Sequence, residues 1–248
     1  EYSTLMFCGL LYAPSADAVP ENILVVGLGG GVLPREMRHY FPDSAIDVVE
    51  IDPEIPKVAE RFFGFRTDEK LRVHVQDGRV FIRNRARRVA QLEQQEQPEE
   101  DPADLRYDIV ILDAFNSDYI PFHLMTREFL HEVRGVLAQD GVVVANVFYS
   151  NRLFDAEWKT YIDVFGRTQV YFGSRSTNAM IVAPGRKVRL LSRDAARERA
   201  KALQEKHTFS FDLRVVADRL RTDVAPERDA IVLTDDRAPV NKLRSEER

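Results

Sequence analysis

"ILVVGLGGGVLPRE", residues Ile23 to Glu36, decides the fold. Ile23, Leu24, Val25 and Val26 form a continuous apolar run, the pattern of a strand buried on both faces of a parallel sheet. Glycines at Gly27, Gly29, Gly30 and Gly31 follow, and the chain then reads as a helix to about Tyr40. Glycines between a buried strand and a helix let the backbone approach a ligand closely, with the helix N-terminus facing it. The turn approximates the dinucleotide fingerprint, but its glycines crowd into "GLGGG" and Pro34 stands where the third glycine's helix should pack. NAD is therefore the lesser reading.

The same strand-then-helix unit recurs downstream. "AIDVVEID" from Ala45 is a second strand and "PEIPKVAERFFGF" the next helix; "LRVHVQDG" and "YDIVILDAF" are the third and fourth strands. A helix from about Thr126 to Leu137 leads to a fifth strand, "GVVVANVF", and "TQVYFGS" with "NAMIVAP" makes a closing hairpin. Strands alternating with helices specify a doubly wound α/β sheet. Upstream, residues 5–13 ("LMFCGLLYA") read as a short apolar helix packed beside the first strand. The stretch 83–106 is charged and nearly free of large apolar groups, a helix extension and exposed loop. "SRDAARERAKALQEKH" is a charged helix with Ser192 as its N-cap, and the tail carries "VLTDDRAPVNKL". The expected organisation is an N-terminal segment (1–22), a nucleoside-binding catalytic domain (23–190) and a C-terminal helical extension and tail (191–248).

A chain of 248 residues, 44% hydrophobic, can bury a full core. Its net charge of -5 gives no broad positive field, which disfavours nucleic acid and anionic membrane as partners. The single cysteine, Cys8, excludes a disulfide framework and reads as an apolar filler. No apolar run is long enough to span a bilayer and no signal peptide is visible, so a cytoplasmic location is expected. The sequence opens on Glu1 and not on methionine, which reads as a trimmed or excised chain.

Acids end the strands. Glu50 falls 23 positions after Gly27, where a carboxylate can accept both hydroxyls of a ribose. Asp77, in "VQDG", is placed either to accept from an adenine amino group or to make an Asx turn with Gly78. Asp113 ends the fourth strand at the crevice where such sheets bind ligands. A row of acids suits a nucleoside with a cationic centre, such as a sulfonium, and an amine nucleophile that must lose a proton; it would repel a pyrophosphate. His123 either orients or deprotonates a substrate or packs at a helix entry. Asp235 and Asp236 either fold over the crevice or form a salt-bridged clamp, and Phe115 and Tyr119 wall an amine pocket or pack in the loop. Trp158 and Tyr161 read as core, His39 and His74 as structural; no metal site is expected. There is no GxSxG and no GK[ST] motif, which argues against hydrolase and NTPase chemistry.

"ILVVGLGGGVLPREM", "VVEIDPEI", "VHVQDGRVFI" and "YDIVILDAF", in this order, resemble the spermidine synthase (polyamine aminopropyltransferase) family, and "LTDDRAPV" resembles its bacterial spermidine-synthase-like branch. The resemblance implies a mostly parallel, seven-stranded Rossmann-like sheet of the class I methyltransferase type with an antiparallel final strand. It implies that Glu50 binds the ribose of an adenosyl donor, Asp77 with Gly78 the adenine, and that Asp113 is the base for the attacking amine. The donor would be decarboxylated S-adenosylmethionine or S-adenosylmethionine, the acceptor a small amine, without a metal, and the assembly a homodimer.

Departures from the family pattern are specific. Gly30 stands where the synthases place the aspartate of GGGDGG, which opens the site to ordinary S-adenosylmethionine. "DAFNSDYIP" replaces a DSSDP-like segment, so Asn116 stands for the second acid and Asp118 is the nearby substitute. Leu5 replaces the upstream glutamate, and Tyr2 lies out of register. Two alternatives follow: a methyltransferase on the same fold, and a non-catalytic nucleoside-binding domain of a larger, membrane-linked protein.

Overall fold

The computed structural model describes residues 2–15, 18–115 and 120–246. Its strands are β1 (Asn22–Val26), β2 (Ala45–Glu50), β3 (Leu71–Val75), β4 (Tyr107–Leu112), β5 (Leu137–Phe148), β6 (Gln169–Phe172), β7 (Asn178–Pro184) and β8 (Leu220–Arg221). The helices are α1 (Tyr2–Leu5), α2 (Val32–Tyr40), α3 (Glu54–Phe62), α4 (Gly78–Leu92), α5 (Arg127–Val136), α6 (Leu153–Phe165), α7 (Arg193–Lys206), α8 (Leu213–Ala217) and α9 (Val240–Ser245).

These strands form one sheet in the order β3-β2-β1-β4-β5-β7-β6-β8. The first four pairings are parallel; β7 runs antiparallel to both β5 and β6. The antiparallel strand of the expected seven is thus inserted between its neighbours, because the β6–β7 hairpin folds back and β7 pairs with β5 along its whole length. The eighth strand, beyond the expectation, is a two-residue edge pairing of Leu220 and Arg221 with β6, too short to leave a pattern in the sequence.

Alternation along β1 divides the core. Ile23 and Val25 point to one face with Leu33 and Met37 of α2, Ala59 of α3 and Ala196, Ala200 and Leu203 of α7. Leu24 and Val26 point to the other with Ile82 of α4, Phe129 and Val133 of α5, and Phe154, Trp158 and Tyr161 of α6. Helices on both faces explain why the parallel strands read as continuous apolar runs. Ser192 and Thr126 cap α7 and α5 as side-chain acceptors.

The N-terminal apolar segment is a short helix continued by a 3-10 turn over Met6–Tyr12. It packs over β4 and β5, away from the expected position beside β1: a Cβ on Gly9 would stand 2.8 Å from Val144 Cγ2, with Val142 and Ile109 next nearest. That approach needs glycine, and it buries Cys8 completely. His74 is structural: its Nε2 lies 2.8 Å from Oδ1 of buried Asp47, which also accepts from the Tyr107 hydroxyl.

Candidate active site

Because the chain runs outward from β1 to β2 and β3 and then crosses back to β4 on the other side of β1, the strand order reverses between β1 and β4, and such folds open a crevice at the C-terminal end of that switch point. In register, Val26 faces Val49 and Leu112, and Leu112 faces Ala145. The residues that follow, Gly27, Glu50, Asp113 and Asn146, therefore reach one level. They line a cleft of about 870 Å³ together with Gly29, Gly30, Asp52, Asp77, Gly78 and His123.

Gly27 has a φ of 99°, and a Cβ there would lie 2.4 Å from the carbonyl oxygen of Asp113; the turn and the β4 end touch backbone to backbone. Gly31, also left-handed, begins α2, and a Cβ on it would meet the ring of Phe65 at 2.5 Å. Gly30 is different: a Cβ would stand 3.2 Å from the half-exposed ring of Phe63, so an aromatic edge occupies the space beside it.

The Glu50 carboxylate is fixed by two backbone donors, Leu28 N–H to Oε2 and Asp52 N–H to Oε1, each at 3.0 Å. Each oxygen retains a second lone pair, which suits a vicinal diol. Next to it Ile51, 65% exposed in the cleft, offers an apolar face to a planar base.

Asp77 is the N-cap of α4, its Oδ1 accepting from Val80 N–H at 2.9 Å; neither sequence reading anticipated this cap. Its Oδ2 lies 3.1 Å from His123 Nε2, and the Arg79 guanidinium donates to the His123 carbonyl, so histidine and aspartate are held as a pair at the cleft wall.

Asp113 accepts from Asn146 Nδ2 at 2.8 Å on Oδ1, and Asn178 Nδ2 in turn donates to Asn146 Oδ1 at 2.9 Å. Burial pushes the Asp113 carboxyl up to about 6 against the opposing pull of the Asn146 hydrogen bond. It is then ionised at neutral pH yet basic enough to accept a proton, the poise of a general base.

Asn146 and Asn178 are the residues sequence reasoning missed. The signal was a single amide in "GVVVANVF", a strand whose other neighbours are apolar: a buried amide there must have polar partners.

Asp235 and Asp236 do not join the cleft. Both oxygens of Asp235 are held by Arg79 at 2.7 Å and Oδ1 also accepts from Thr126, which pins the tail to α4 and α5; Asp236 is exposed. Phe115 lines the cleft with its ring 5.0 Å from that of Phe148. The expectations for Asn116, Asp118 and Tyr119 lie outside the described residues.

The cleft carries Glu50, Asp52, Asp77 and Asp113, and no lysine or arginine lines it among the described residues. No cluster of three or more His, Cys, Asp or Glu side chains is arranged to hold a metal ion among these residues, and no helix is long and apolar enough to cross a membrane.

Comparison with known proteins gives this geometry a context. The family model described as the spermine/spermidine synthase domain matches residues 8–173. A polyamine aminopropyltransferase of Vibrio vulnificus is 36% identical over 98% of this chain and 75% of its own length. Among solved structures, human methyltransferase-like protein 13 in complex with SAH superposes with a TM-score of 0.70 at 28% identity, covering 83% of this chain and 91% of that one. A probable spermidine synthase from Corynebacterium glutamicum shares the fold, with a TM-score of 0.65 at 19% identity over 96% of this chain and 81% of that one.

Proposed function

The chain belongs to the spermine/spermidine synthase family, and from that premise we propose that it moves an aminopropyl group from decarboxylated S-adenosylmethionine to a small amine. The observation that carries this reading is the charge of the cleft: four carboxylates and no lysine or arginine among its described lining residues. A donor that retains its amino-acid carboxylate would bring a negative charge into that field, whereas the decarboxylated donor presents only cationic groups.

Bound there, the donor supplies an electrophilic carbon attached to a sulfonium. The chain's own residues do the rest. The glycine turn brings backbone within reach of the nucleoside, Glu50 accepts from the ribose hydroxyls, and Ile51 covers one face of the base. Asp77, its Oδ1 already engaged in capping, offers its remaining acceptor capacity to the exocyclic amine beside Gly78. Asp113, oriented by Asn146, takes the proton from the acceptor amine as the new C–N bond forms and the C–S bond breaks, its electron pair leaving with sulfur as neutral methylthioadenosine. Rate enhancement then comes mainly from alignment of donor and acceptor together with this proton removal.

A second reading, methyl transfer from S-adenosylmethionine, is favoured by Gly30 and by the likeness to methyltransferase-like protein 13. Calorimetric titration separates the two: the proposal expects the decarboxylated donor to bind at least tenfold more tightly than S-adenosylmethionine. Equal affinity, or the reverse preference, would favour the methyltransferase.

A further inference from the structure

The tail turn at 234–237 lies outside the cleft, yet one buried side chain joins it to the cleft wall. The turn closes on itself through paired backbone bonds between Thr234 and Arg237. It is seated on α5 and α6. Leu233 is buried, its N–H donating to Thr160 Oγ1 and its carbonyl accepting from Arg127 N–H, and Asp235 N–H donates to Glu128 Oε2 at 2.9 Å. From this seat Asp235 accepts from both terminal nitrogens of Arg79, each at 2.7 Å. Arg79 is 7% exposed, follows Asp77 and Gly78 directly at the start of α4, and donates from Nη1 to the His123 carbonyl at 3.2 Å. One guanidinium thus ties the tail to both members of the Asp77–His123 pair. Its donors form a rigid planar fork, so the carboxylate that receives two of them fixes where the fork stands. The ribose end of the cleft has no such tie, because Glu50 is held by the backbone of Leu28 and Asp52.

We propose that Asp235 is a positioning residue for base recognition: acting through Arg79, it holds Asp77 and His123 where they meet the nucleoside base, so that docking of the tail and binding of the donor reinforce one another. This rests on the adenosyl-donor reading above, and not on which group is transferred. Without the Asp235 carboxylate, Arg79 keeps Glu132 of α5, 3.1 Å from its Nε, as its carboxylate partner. The fork is then free to turn toward α5, the His123 carbonyl loses its donor, and the ring that faces Asp77 Oδ2 at 3.1 Å loses its anchor. A base-reading carboxylate acts over tenths of an ångström, so loosening its support weakens the base contact before it touches the ribose contact. Coupling of this kind is reciprocal: the factor by which freeing the tail weakens the nucleoside is the factor by which the nucleoside strengthens docking of the tail.

The test titrates the whole chain calorimetrically with methylthioadenosine and with methylthioinosine, whose base carries an oxygen in place of the exocyclic amine. The wild type is expected to prefer methylthioadenosine. Asp235→Asn, which keeps the shape and removes the charge facing Arg79, should weaken methylthioadenosine about tenfold, with methylthioinosine affinity and kcat at saturating donor each within about twofold. Asp236→Asn, which removes the same charge one residue from the clamp, should change none of these. In the wild type, saturating methylthioadenosine should slow hydrogen exchange of the Thr234, Asp235 and Arg237 amides by about the same tenfold, while that of Ala195 at the start of α7 is unmoved. Wild-type base preference in Asp235→Asn would overturn the proposal, and so would equal weakening of both nucleosides, the sign of general structural support. Tail amides that methylthioadenosine does not slow would overturn it without any variant. Coupling in a chain that yields only S-adenosylhomocysteine would leave the clamp standing and fail the aminopropyl reading; aminopropyl transfer with base preference and exchange unmoved would do the opposite.

Discussion

If Asp113 is the base of the proposed reaction, the Asn146 amide tunes the pH at which it works. That amide donates 2.8 Å to a carboxylate that burial has raised to about 6, and that hydrogen bond is the force opposing burial. A hydrogen bond to a charged group contributes about 1.5–3 kcal/mol, or about one to two units of pKa. Asn146→Ala should therefore move the Asp113 titration to about 7–8. The ionised fraction at pH 7 falls from about nine-tenths to between about one-half and one-tenth. kcat/KM at pH 7 drops about two- to tenfold and recovers by pH 9, because only the ionised carboxylate accepts the amine's proton. The assay is the pH profile of kcat/KM for methylthioadenosine release, with the acid limb fitted for both proteins. An acid limb that stays in place, or a loss that persists unchanged at pH 9, would refute the link between Asn146 and the base. Asn178→Ala, one hydrogen bond further away, should shift the same limb in the same direction by less.

Three other outcomes follow from the same contacts. Asp113→Asn should stabilise the ligand-free protein at pH 7–8: a folded value near 6 against an ordinary 3.8 means stability is lost as pH rises from about 4 to 6. The neutral variant escapes up to about 3 kcal/mol of that loss, and urea titrations at pH 4 and pH 8 should show the gain only at the higher pH. Gly27→Ala should abolish nucleoside binding, since its Cβ would stand 2.4 Å from the Asp113 carbonyl in a left-handed backbone; wild-type affinity in calorimetry would contradict the close approach. Asp235→Ala should cost about 2 kcal/mol and lower Tm by several degrees, because it leaves the Arg79 guanidinium, whose side chain is 8% exposed, with Glu132 as its remaining carboxylate; an unchanged Tm would show the clamp to be idle.

The strand-end acids were legible because one rule places them: in a doubly wound sheet, whatever follows an apolar run lies at the crevice. Glu50 and Asp113 needed only their position after "AIDVV" and "YDIVIL". Asp77 was half legible, since capping and ligand binding ask for the same short acid at the same turn, and Val80 and His123 both use it. Asp235 was ambiguous because its partner, Arg79, lies 156 positions away. Glu157 was hidden among Trp158 and Tyr161, which marked its helix as core and gave no sign that a carboxylate was being buried with them. The N-terminal segment was read as helical, but its seat over β5 depends on Gly9 approaching Val144, a contact no local pattern encodes.

The most direct test of aminopropyl transfer is a competition. S-adenosylmethionine and its decarboxylated form, at equal concentration, are supplied with a diamine acceptor, and the nucleoside products are separated by chromatography. The account predicts methylthioadenosine as the main product, reduced about 100-fold or more in Asp113→Asn, whose amide cannot take the amine's proton. S-adenosylhomocysteine as the main product would contradict it and make the chain a methyltransferase.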